Sequence, residues 1–219
     1  MGKCIRFMGR IISLDRYLLL RIVANIKNKL WDFVYSGTSL GGIIRPKNQH
    51  AYNTSSTDYS ILQWVFDRVP IVGSDVLVDV GCGKGRVIMY WLKRGYKNKI
   101  VGIELNEDVA INTKKTLSEY KNVSIISGNV LEYIPIDGTI FFLFNPFDEQ
   151  IMCLFKESIA TSNNNITIIY LNCMHINVFK NDPNWDVLVH DVNIPLSGIK
   201  DCEVAVVKLV SERQSESVK

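Results

Sequence analysis

The sequence lacks any uninterrupted apolar run close to the roughly 20 residues that a membrane-spanning helix requires. Its five cysteines show no C-x-x-C spacing and its three histidines do not cluster, so we expect no metal site. Scattered cysteines of odd number are typical of free thiols in a reducing compartment. No small-residue cleavage site follows an apolar core near the amino terminus, which argues against a secretory signal peptide. These absences predict a cytoplasmic protein.

Acidic side chains are scarce in the first 30 residues, where seven Lys and Arg accompany a single acid, Asp15, for a net charge of +6. The whole chain carries only +3. Apolar residues recur there at helical spacing and predict an amphipathic helix over 10–35: Ile12, Leu19, Val23, Ile26, Leu30 and Phe33. We expect this helix to pack on the domain with its bases in water. The alternative is a surface that touches an anionic membrane, a nucleic acid or an acidic partner.

The chain has 219 residues, 47% hydrophobic and 21% charged, which suffices for one soluble domain with a full core plus an appendage. Beyond residue 56, strand and helix patterns alternate. Strands are predicted over 76–80, 99–103, 123–127, 139–144 and 165–171, and helices over 57–69, 84–95, 107–120 and 148–161. This alternation predicts a doubly wound α/β fold, with a mostly parallel sheet, helices on both faces and a helical lead-in. The last strands, near 185–191 and 202–210, have no helix between them and should form an antiparallel hairpin.

Three alternate glycines, Gly81, Gly83 and Gly85, interrupt the apolar stretch 76–87, whose sequence is VLVDVGCGKGRV. The pattern predicts a buried strand, a tight turn where the backbone closely approaches a ligand, and a helix amino terminus. Asp79 lies two residues before the first glycine. The turn is therefore the first candidate for a nucleotide-like ligand, although a glycine turn without a ligand stays an alternative.

A dinucleotide-binding oxidoreductase is the competing interpretation of this turn. Its G-x-G-x-x-G fingerprint uses the last glycine to pack helix on strand, and Arg86 occupies that position here. A carboxylate such as that of Asp79 suits a ligand with an ammonium group and suits a pyrophosphate badly. Both differences favour a cationic ligand over a dinucleotide.

The motif D-V-G-C-G-x-G at 79–85 resembles the first motif of the class I S-adenosylmethionine (SAM) methyltransferases. Together with Phe144-Asn145-Pro146-Phe147, it is similar to a bacterial set of these enzymes, loosely akin to the non-SET histone-lysine methyltransferases. The resemblance covers roughly 35–175. It implies SAM as cofactor, a methyltransferase of class EC 2.1.1.-, and a sheet that ends in an antiparallel hairpin. The predicted organisation is a basic helix and loop over 1–48, a methyltransferase domain over 49–210 and a disordered tail over 211–219.

The resemblance implies cofactor contacts at the ends of successive strands. The methionine pocket is expected to be shaped by Asp79, Gly81, Cys82, Gly83 and Gly85. Glu104 lies at the tip of the predicted strand 99–103, with Leu105 after it, and a carboxylate there can accept two hydrogen bonds from a ribose. Asn129 and Val130 are expected beside the adenine, where the family most often has an acid in place of the asparagine.

The segment ahead of the sheet is expected to fold over the cofactor as a lid. Tyr52 and Thr57 are candidates for contact with the methionine end of SAM. His50 is a candidate base, and His175 could line the substrate side. Solvated loop histidines are the alternative for both.

Asn145, Pro146 and Phe147 resemble the (Asn/Asp/Ser)-Pro-Pro-(aromatic) motif of amino-group methyltransferases, shortened by one proline. The Asn145 side-chain oxygen and a carbonyl at Pro146 could accept the hydrogens of an amine, and Phe147 could stack on the substrate. A simple Asn-Pro turn before a helix is the alternative.

These residues predict methyl transfer to an amine or amide nitrogen, less readily to oxygen, of a small molecule or a protein side chain. A nucleic acid acceptor is not expected, because no extra domain is present to recognise one. Two other functions stay open. One is a non-catalytic SAM- or nucleotide-binding module that docks a partner through the basic helix, with peripheral membrane contact through residues 1–30. The other is an NAD-dependent oxidoreductase.

Overall fold

The helices and strands come from a computed structural model, which describes residues 2–44, 54–162 and 165–210. The helices are α1 (Gly2–Ser36), α2 (Tyr59–Phe66), α3 (Arg86–Lys93), α4 (Glu107–Thr116), α5 (Glu149–Ser162) and α6 (Asn177–Lys180). The strands are β1 (Ile43–Ile44), β2 (Thr54–Ser55), β3 (Val76–Val80), β4 (Lys99–Glu104), β5 (Val123–Ser127), β6 (Ile140–Phe144), β7 (Thr167–Leu171), β8 (Trp185–Ile194) and β9 (Ile199–Leu209). Within the described ranges, no helix is both long enough and apolar enough to cross a membrane.

Seven strands form one sheet in the order β5-β4-β3-β6-β7-β9-β8. The first five are parallel to one another, whereas β9 runs antiparallel to both β7 and β8. The predicted fold class is therefore confirmed, including the hairpin, whose connection is a short 3-10 helix at Pro195–Ser197.

The chain reverses its direction across the sheet between β3 and β6. From β3 it moves outward through β4 to β5, and it then returns to place β6 on the other side of β3. Val80 pairs with Leu143 at the carboxyl ends of these two strands. In open α/β sheets such a switch point leaves a crevice at the strand ends, and ligands bind there.

Alternate side chains of the central strands fill two apolar cores, one on each face of the sheet. On one face, Phe142 contacts the rings of Phe66 in α2 and Trp91 in α3. On the other face, Phe141 packs edge-on against Phe155 in α5. Since both faces are covered, β3 and β6 are buried along most of their length and are apolar except for Asp79.

Several helices are shorter than their apolar patterns predict. The helix expected over 57–69 begins after Asp58, whose carboxylate accepts a hydrogen bond from the Ser60 N–H at 2.9 Å. The helix expected over 84–95 begins at Arg86, because Gly85 has a φ of 82°. The β1–β2 pair and α6 had no counterpart in the sequence prediction. The tail predicted over 211–219 lies outside the described residues.

Helix α1 packs on the domain through a face other than the predicted one. Ala24, Asn28 and Asp32 are buried, at the four-residue spacing of one helix side. The apolar residues that were expected to face the core are 53–61% exposed: Leu19, Val23, Ile26, Leu30 and Phe33. The expectation is wrong because polar partners decide the docking. The side chain of Ile12 lies outside the described side chains.

Candidate functional site

The glycine turn after β3 has the backbone that its sequence predicts. Gly81, Gly83 and Gly85 all have φ values between 53° and 82°, which other residues adopt only with strain. A Cβ on Gly85 would lie 3.1 Å from both Thr113 Cγ2 and Leu117 Cδ1, so packing requires glycine there as well. The turn then leads directly into α3 and leaves its backbone open toward the sheet edge.

A cleft opens at this turn, between the carboxyl ends of β3 and β6. It is lined by Ser56, Thr57, Asp79, Val80, Gly81, Cys82, Gly83, Lys84, Arg86, Val87, Phe142, Phe144 and Pro146. Six of these are residues that the sequence singled out: Thr57, Asp79, Gly81, Cys82, Gly83 and Pro146. The remaining predicted positions that the structure describes are not among the residues that line this cleft.

Asp79 carries the most perturbed carboxylate of the cleft. It is 3% exposed, and its Oδ2 atom has no hydrogen-bond partner among the described residues. Burial, and secondarily the negative charge of Glu104, raises the pKa of Asp79 well above its usual range. A buried carboxylate without a partner is costly, and a bound ammonium group would remove that cost.

Cys82 remains a neutral thiol. Burial, then the charges of Asp79 and Glu104, raises its pKa well above the ordinary value. A thiol in such surroundings is not a nucleophile, since nucleophilic cysteines need a depressed pKa.

Glu104 ends β4 and holds the glycine turn from the side. Its Oε2 accepts a hydrogen bond from the Gly83 N–H at 2.9 Å, and its Oε1 accepts one from the Asn106 N–H at 2.8 Å. Each carboxylate oxygen keeps a second lone pair that can accept a further donor. Leu105, which follows it, is 43% exposed.

Asn129 and Val130 follow β5 at the same edge of the sheet. The Gly128 N–H donates to the Glu104 carbonyl at 3.0 Å, which keeps this loop beside Glu104. The Asn129 Oδ1 accepts from the Leu131 N–H at 3.1 Å in a local turn. Val130 is buried in the apolar core on the α5 face of the sheet.

Asn145 begins the turn after β6 in a left-handed conformation, with a φ of 41°. Its Oδ1 accepts a hydrogen bond from the Tyr170 hydroxyl at 2.8 Å, and its Nδ2 donates to the Met174 sulfur at 3.1 Å. The Asn145 side chain is thereby held in one orientation. Sequence reasoning did not find Tyr170, because a tyrosine in a buried apolar strand resembles any other core aromatic.

Pro146 connects this turn to the cleft, whereas Phe147 does not. A Cβ on Gly81 would lie 3.4 Å from the Pro146 Cβ, so the two turns are in van der Waals proximity. Phe147 is 6% exposed, and its ring centroid lies 5.6 Å from that of Phe155 in the core. Among the described residues, its ring is not part of the cleft lining.

A buried ion pair joins the cleft to α1, which sequence reasoning also missed. Arg86 lines the cleft, and its Nε and Nη2 atoms donate to the two oxygens of Asp32 at 2.9 and 2.6 Å. Its Nη1 donates to the Thr57 carbonyl at 3.1 Å. The Tyr59 hydroxyl donates to Asp32 at 3.0 Å, and burial together with this charge raises the pKa of Tyr59.

The remaining candidates divide between described and undescribed parts of the chain. Tyr52 and His50 lie outside the described residues. His175 is half-buried, and its backbone N–H donates at 3.3 Å to the Tyr170 hydroxyl, the group that also bonds to Asn145.

Comparisons with known proteins agree with this geometry. A protein-family model described as a methyltransferase domain matches residues 78–141, which include the glycine turn and Glu104. Ribosomal RNA small subunit methyltransferase A from Alkaliphilus metalliredigens is 29% identical over 75 residues. That match covers 34% of this chain and spans about a quarter (25%) of the length of the relative.

Solved structures share the fold across most of the chain. An RNA methyltransferase from Salinibacter ruber, in complex with S-adenosyl-L-homocysteine, has a TM-score of 0.56 at 16% identity and covers 72% of this chain and 95% of its own. Precorrin-6y C5,15-methyltransferase from Geobacter metallireducens has a TM-score of 0.56 at 14% identity, and the match covers 71% of this chain and 90% of the precorrin-6y enzyme chain. The sheet, the cleft and the matched domain define a Rossmann-like methyltransferase fold, and SAM is the cofactor of the matched domain.

Proposed function

We propose that this protein is a methyltransferase that uses SAM to methylate a nitrogen atom. The observation that carries the proposal is the buried Asp79 Oδ2, which lacks a partner among the described residues at the cleft beside an open glycine turn. The amino group of a bound SAM is the kind of donor that this oxygen lacks. A dinucleotide would instead bring phosphate charge toward two carboxylates, those of Asp79 and Glu104.

Different residues around the turn are proposed to hold different parts of the cofactor. Asp79 is proposed to hold the ammonium group, with Gly81, Cys82, Gly83 and Gly85 letting the backbone approach the methionine end. Glu104 is proposed to hold the ribose with its free lone pairs, since two others already secure Gly83 and Asn106. Leu105, Asn129 and Val130 are proposed at the adenine side, and Tyr52 and Thr57 at the methionine side. Bound SAM supplies an electrophilic methyl group on a sulfonium.

The turn after β6 is proposed to position the acceptor. The acceptor nitrogen must be neutral and in line with the bond that breaks, because its lone pair forms the new bond to carbon. Tyr170 orients the Asn145 oxygen, which keeps one lone pair for an amine hydrogen. Pro146, which lies against Gly81, is proposed to offer its carbonyl to the same amine. Phe147 is proposed to support this turn from the core through Phe155.

The class of acceptor is proposed to be a small molecule or a protein side chain. Proteins that share the fold differ in the acceptor that their names give, with RNA in one and precorrin-6y in another. RNA is the second candidate, because the ribosomal RNA methyltransferase is similar to this chain in sequence. Extract fractions treated with protease or with ribonuclease would separate these acceptors.

Calorimetry with SAM and S-adenosylhomocysteine tests the cofactor. The chain should bind both, and Asp79→Asn should weaken binding at least about tenfold, since a charge-assisted contact is lost. Asp75→Asn is the matched control, because Asp75 is another buried acid beside this strand but bonds to Val72 and Thr139. Absence of heat with either compound in the parent chain would refute the proposal.

Transfer of a labelled methyl group from SAM tests the chemistry. Asn145→Gly keeps the left-handed backbone accessible, so we expect product formation to fall at least about a hundredfold while the SAM affinity stays within about twofold. Asn172→Gly is the control, because Asn172 is an exposed asparagine with a φ of 49° after the neighbouring strand. Binding of SAM without turnover on any extract fraction would favour the non-catalytic module instead.

A further inference from the structure

Helix α1 exposes a continuous row of large apolar side chains. Eight residues between positions 18 and 34 are 46–70% exposed: Leu18, Leu19, Ile22, Val23, Ile26, Leu30, Phe33 and Val34. We call these residues the apolar face of α1. Isolated exposed apolar residues are ordinary, but a contiguous row of this kind marks an interaction surface.

The apolar face lies opposite the face that docks on the domain. At 100° per residue, Ala24, Asn28 and Asp32 point to one side, and Ile26, Leu30 and Phe33 point to the other. The docked side is held by polar contacts: Asn28 Nδ2 donates to Asp58 at 2.8 Å, and Asp32 pairs with Arg86. The helix is therefore inverted with respect to an ordinary surface helix, which buries its apolar side.

The charges around the apolar face are all positive among the side chains that the structure describes. Arg16, Lys27 and Lys29 are exposed, and Lys27 and Lys29 flank the row on its two sides. From position 16 to 36 the helix has one acid, Asp32, which is buried and neutralised by Arg86. The surface that α1 presents is thus both apolar and cationic.

We propose that α1 binds the surface of an anionic lipid bilayer, with its axis in the plane of the interface. Bases beside a row of leucine, isoleucine and phenylalanine are the arrangement with which helices enter the boundary between headgroups and acyl chains. Lys27 and Lys29 can lay their methylene stems along the apolar row and keep their ammonium groups at lipid phosphates. The row spans about 25 Å at about 1.5 Å per residue, enough for one long contact.

A nucleic acid fits this face less well, because phosphate contacts need cations and gain nothing from eight exposed apolar side chains. A second copy of the chain would cover the apolar row but would bring like charges together. An anionic bilayer satisfies both the apolar and the cationic residues. This inference is independent of the proposed chemistry, and its test uses no turnover.

Co-sedimentation of the full chain with phosphatidylcholine vesicles, with and without phosphatidylglycerol, tests the inference. The chain should bind the anionic vesicles, and added salt should weaken this binding. Leu19→Ser, Ile26→Ser and Phe33→Ser combined should lower the bound fraction at least about tenfold. The control combines Val72→Ser, Ile111→Ser and Ile136→Ser, which lie outside α1, are on average at least as exposed as the three α1 residues, and should change nothing. Circular dichroism checks that both variants are folded.

Two results would overturn the inference. One is equal sedimentation of the parent chain and the α1 variant with anionic vesicles. The other is a chain that ignores vesicles but is dimeric by light scattering, with the α1 variant monomeric, which would identify a second copy as the occupant.

Discussion

At the scale of single residues, the buried carboxylate of Asp79 in the candidate site lowers the stability of the folded chain. Burial of its carboxyl raises its pKa, so ionisation of Asp79 costs more in the folded chain than in the unfolded chain. As the pH rises from about 4, the unfolded chain loses this proton first. The folded state then binds more protons, and the free energy of unfolding falls with pH until the folded carboxyl also ionises.

Asp79→Asn should remove this pH-dependent loss. In thermal denaturation without ligand, the melting temperature of the parent chain should fall relative to that of the variant as the pH rises from about 4 to the raised pKa of Asp79. Each 1 kcal/mol by which the variant gains free energy of unfolding over the parent chain corresponds to a melting temperature about 2–4 °C higher for a chain of this size. A variant whose melting temperature follows that of the parent chain at every pH would contradict the cost assigned to Asp79.

At the scale of secondary-structure elements, the polar contacts that dock α1 include one buried ion pair. Asp32 and Arg86 have side-chain exposures of 0% and 7% at 2.6 Å, whereas Asp67 and Arg94 form a similar pair at 2.7 Å with exposures of 43% and 35%. Removing one member of a buried pair leaves an uncompensated charge. The two pairs differ in solvent access and in hydrogen bonding, since Asp32 accepts two hydrogen bonds from Arg86 and one from the Tyr59 hydroxyl, whereas Asp67 accepts one from Arg94.

Asp32→Asn should destabilise the chain by about 3–5 kcal/mol in urea denaturation. Asp67→Asn, the exposed counterpart, should cost less than about 1 kcal/mol. Because Arg86 also lines the cleft, the Asp32 variant should additionally bind SAM more weakly. Equal losses of stability in the two variants would show that burial does not control this contact.

The start of α3 depends on glycine for two separate reasons, backbone and packing. Gly85 and Gly95 have φ values of 82° and 87°, but a Cβ atom would meet neighbours within 4 Å only at Gly85, where Leu117 and Thr113 lie. An alanine at either position incurs the left-handed backbone cost of about 1–2 kcal/mol. Of the two positions, only Gly85 also requires neighbouring side chains to move.

Gly85→Ala should therefore lose more stability than Gly95→Ala and should also weaken SAM binding, which Gly95→Ala should leave unchanged. Urea denaturation and calorimetry measure the two effects. Should both variants lose equal stability and retain cofactor affinity, the packing role of Gly85 would be wrong.

At the scale of the whole molecule, the sheet order brings distant sequence segments to one edge. Asp79, Glu104, Gly128 and Asn145 each follow or lie at the end of a parallel strand, and their strands are neighbours. Ligands bind at this edge in open α/β sheets. The Asp32–Arg86 pair then attaches α1 beside the same edge, with its apolar face directed away from the domain.

Local patterns were sufficient to predict most of this architecture. The strands over 76–80 and 123–127 have the same bounds in the structure as in the prediction. Residues 76–80 are buried along their whole length, and burial of a strand on both faces of a sheet favours apolar residues. The glycine turn was equally predictable, since positive φ and close packing both restrict the residue type. The site roles assigned to these residues stay proposals.

The amino-acid order by itself determined the alternation of strands and helices, the terminal hairpin and the position of the glycine turn, since each depends on neighbours along the chain. Only the tertiary structure decided that Tyr170 holds Asn145, that Phe147 faces the core, and that α1 docks by its polar side. The hydrogen bond between Tyr170 and Asn145 joins residues 25 positions apart in the sequence, and the pair of Arg86 and Asp32 joins residues 54 positions apart. A hydrophobic pattern shows that a helix has two faces, but a buried charge and its partner determine which face meets the protein.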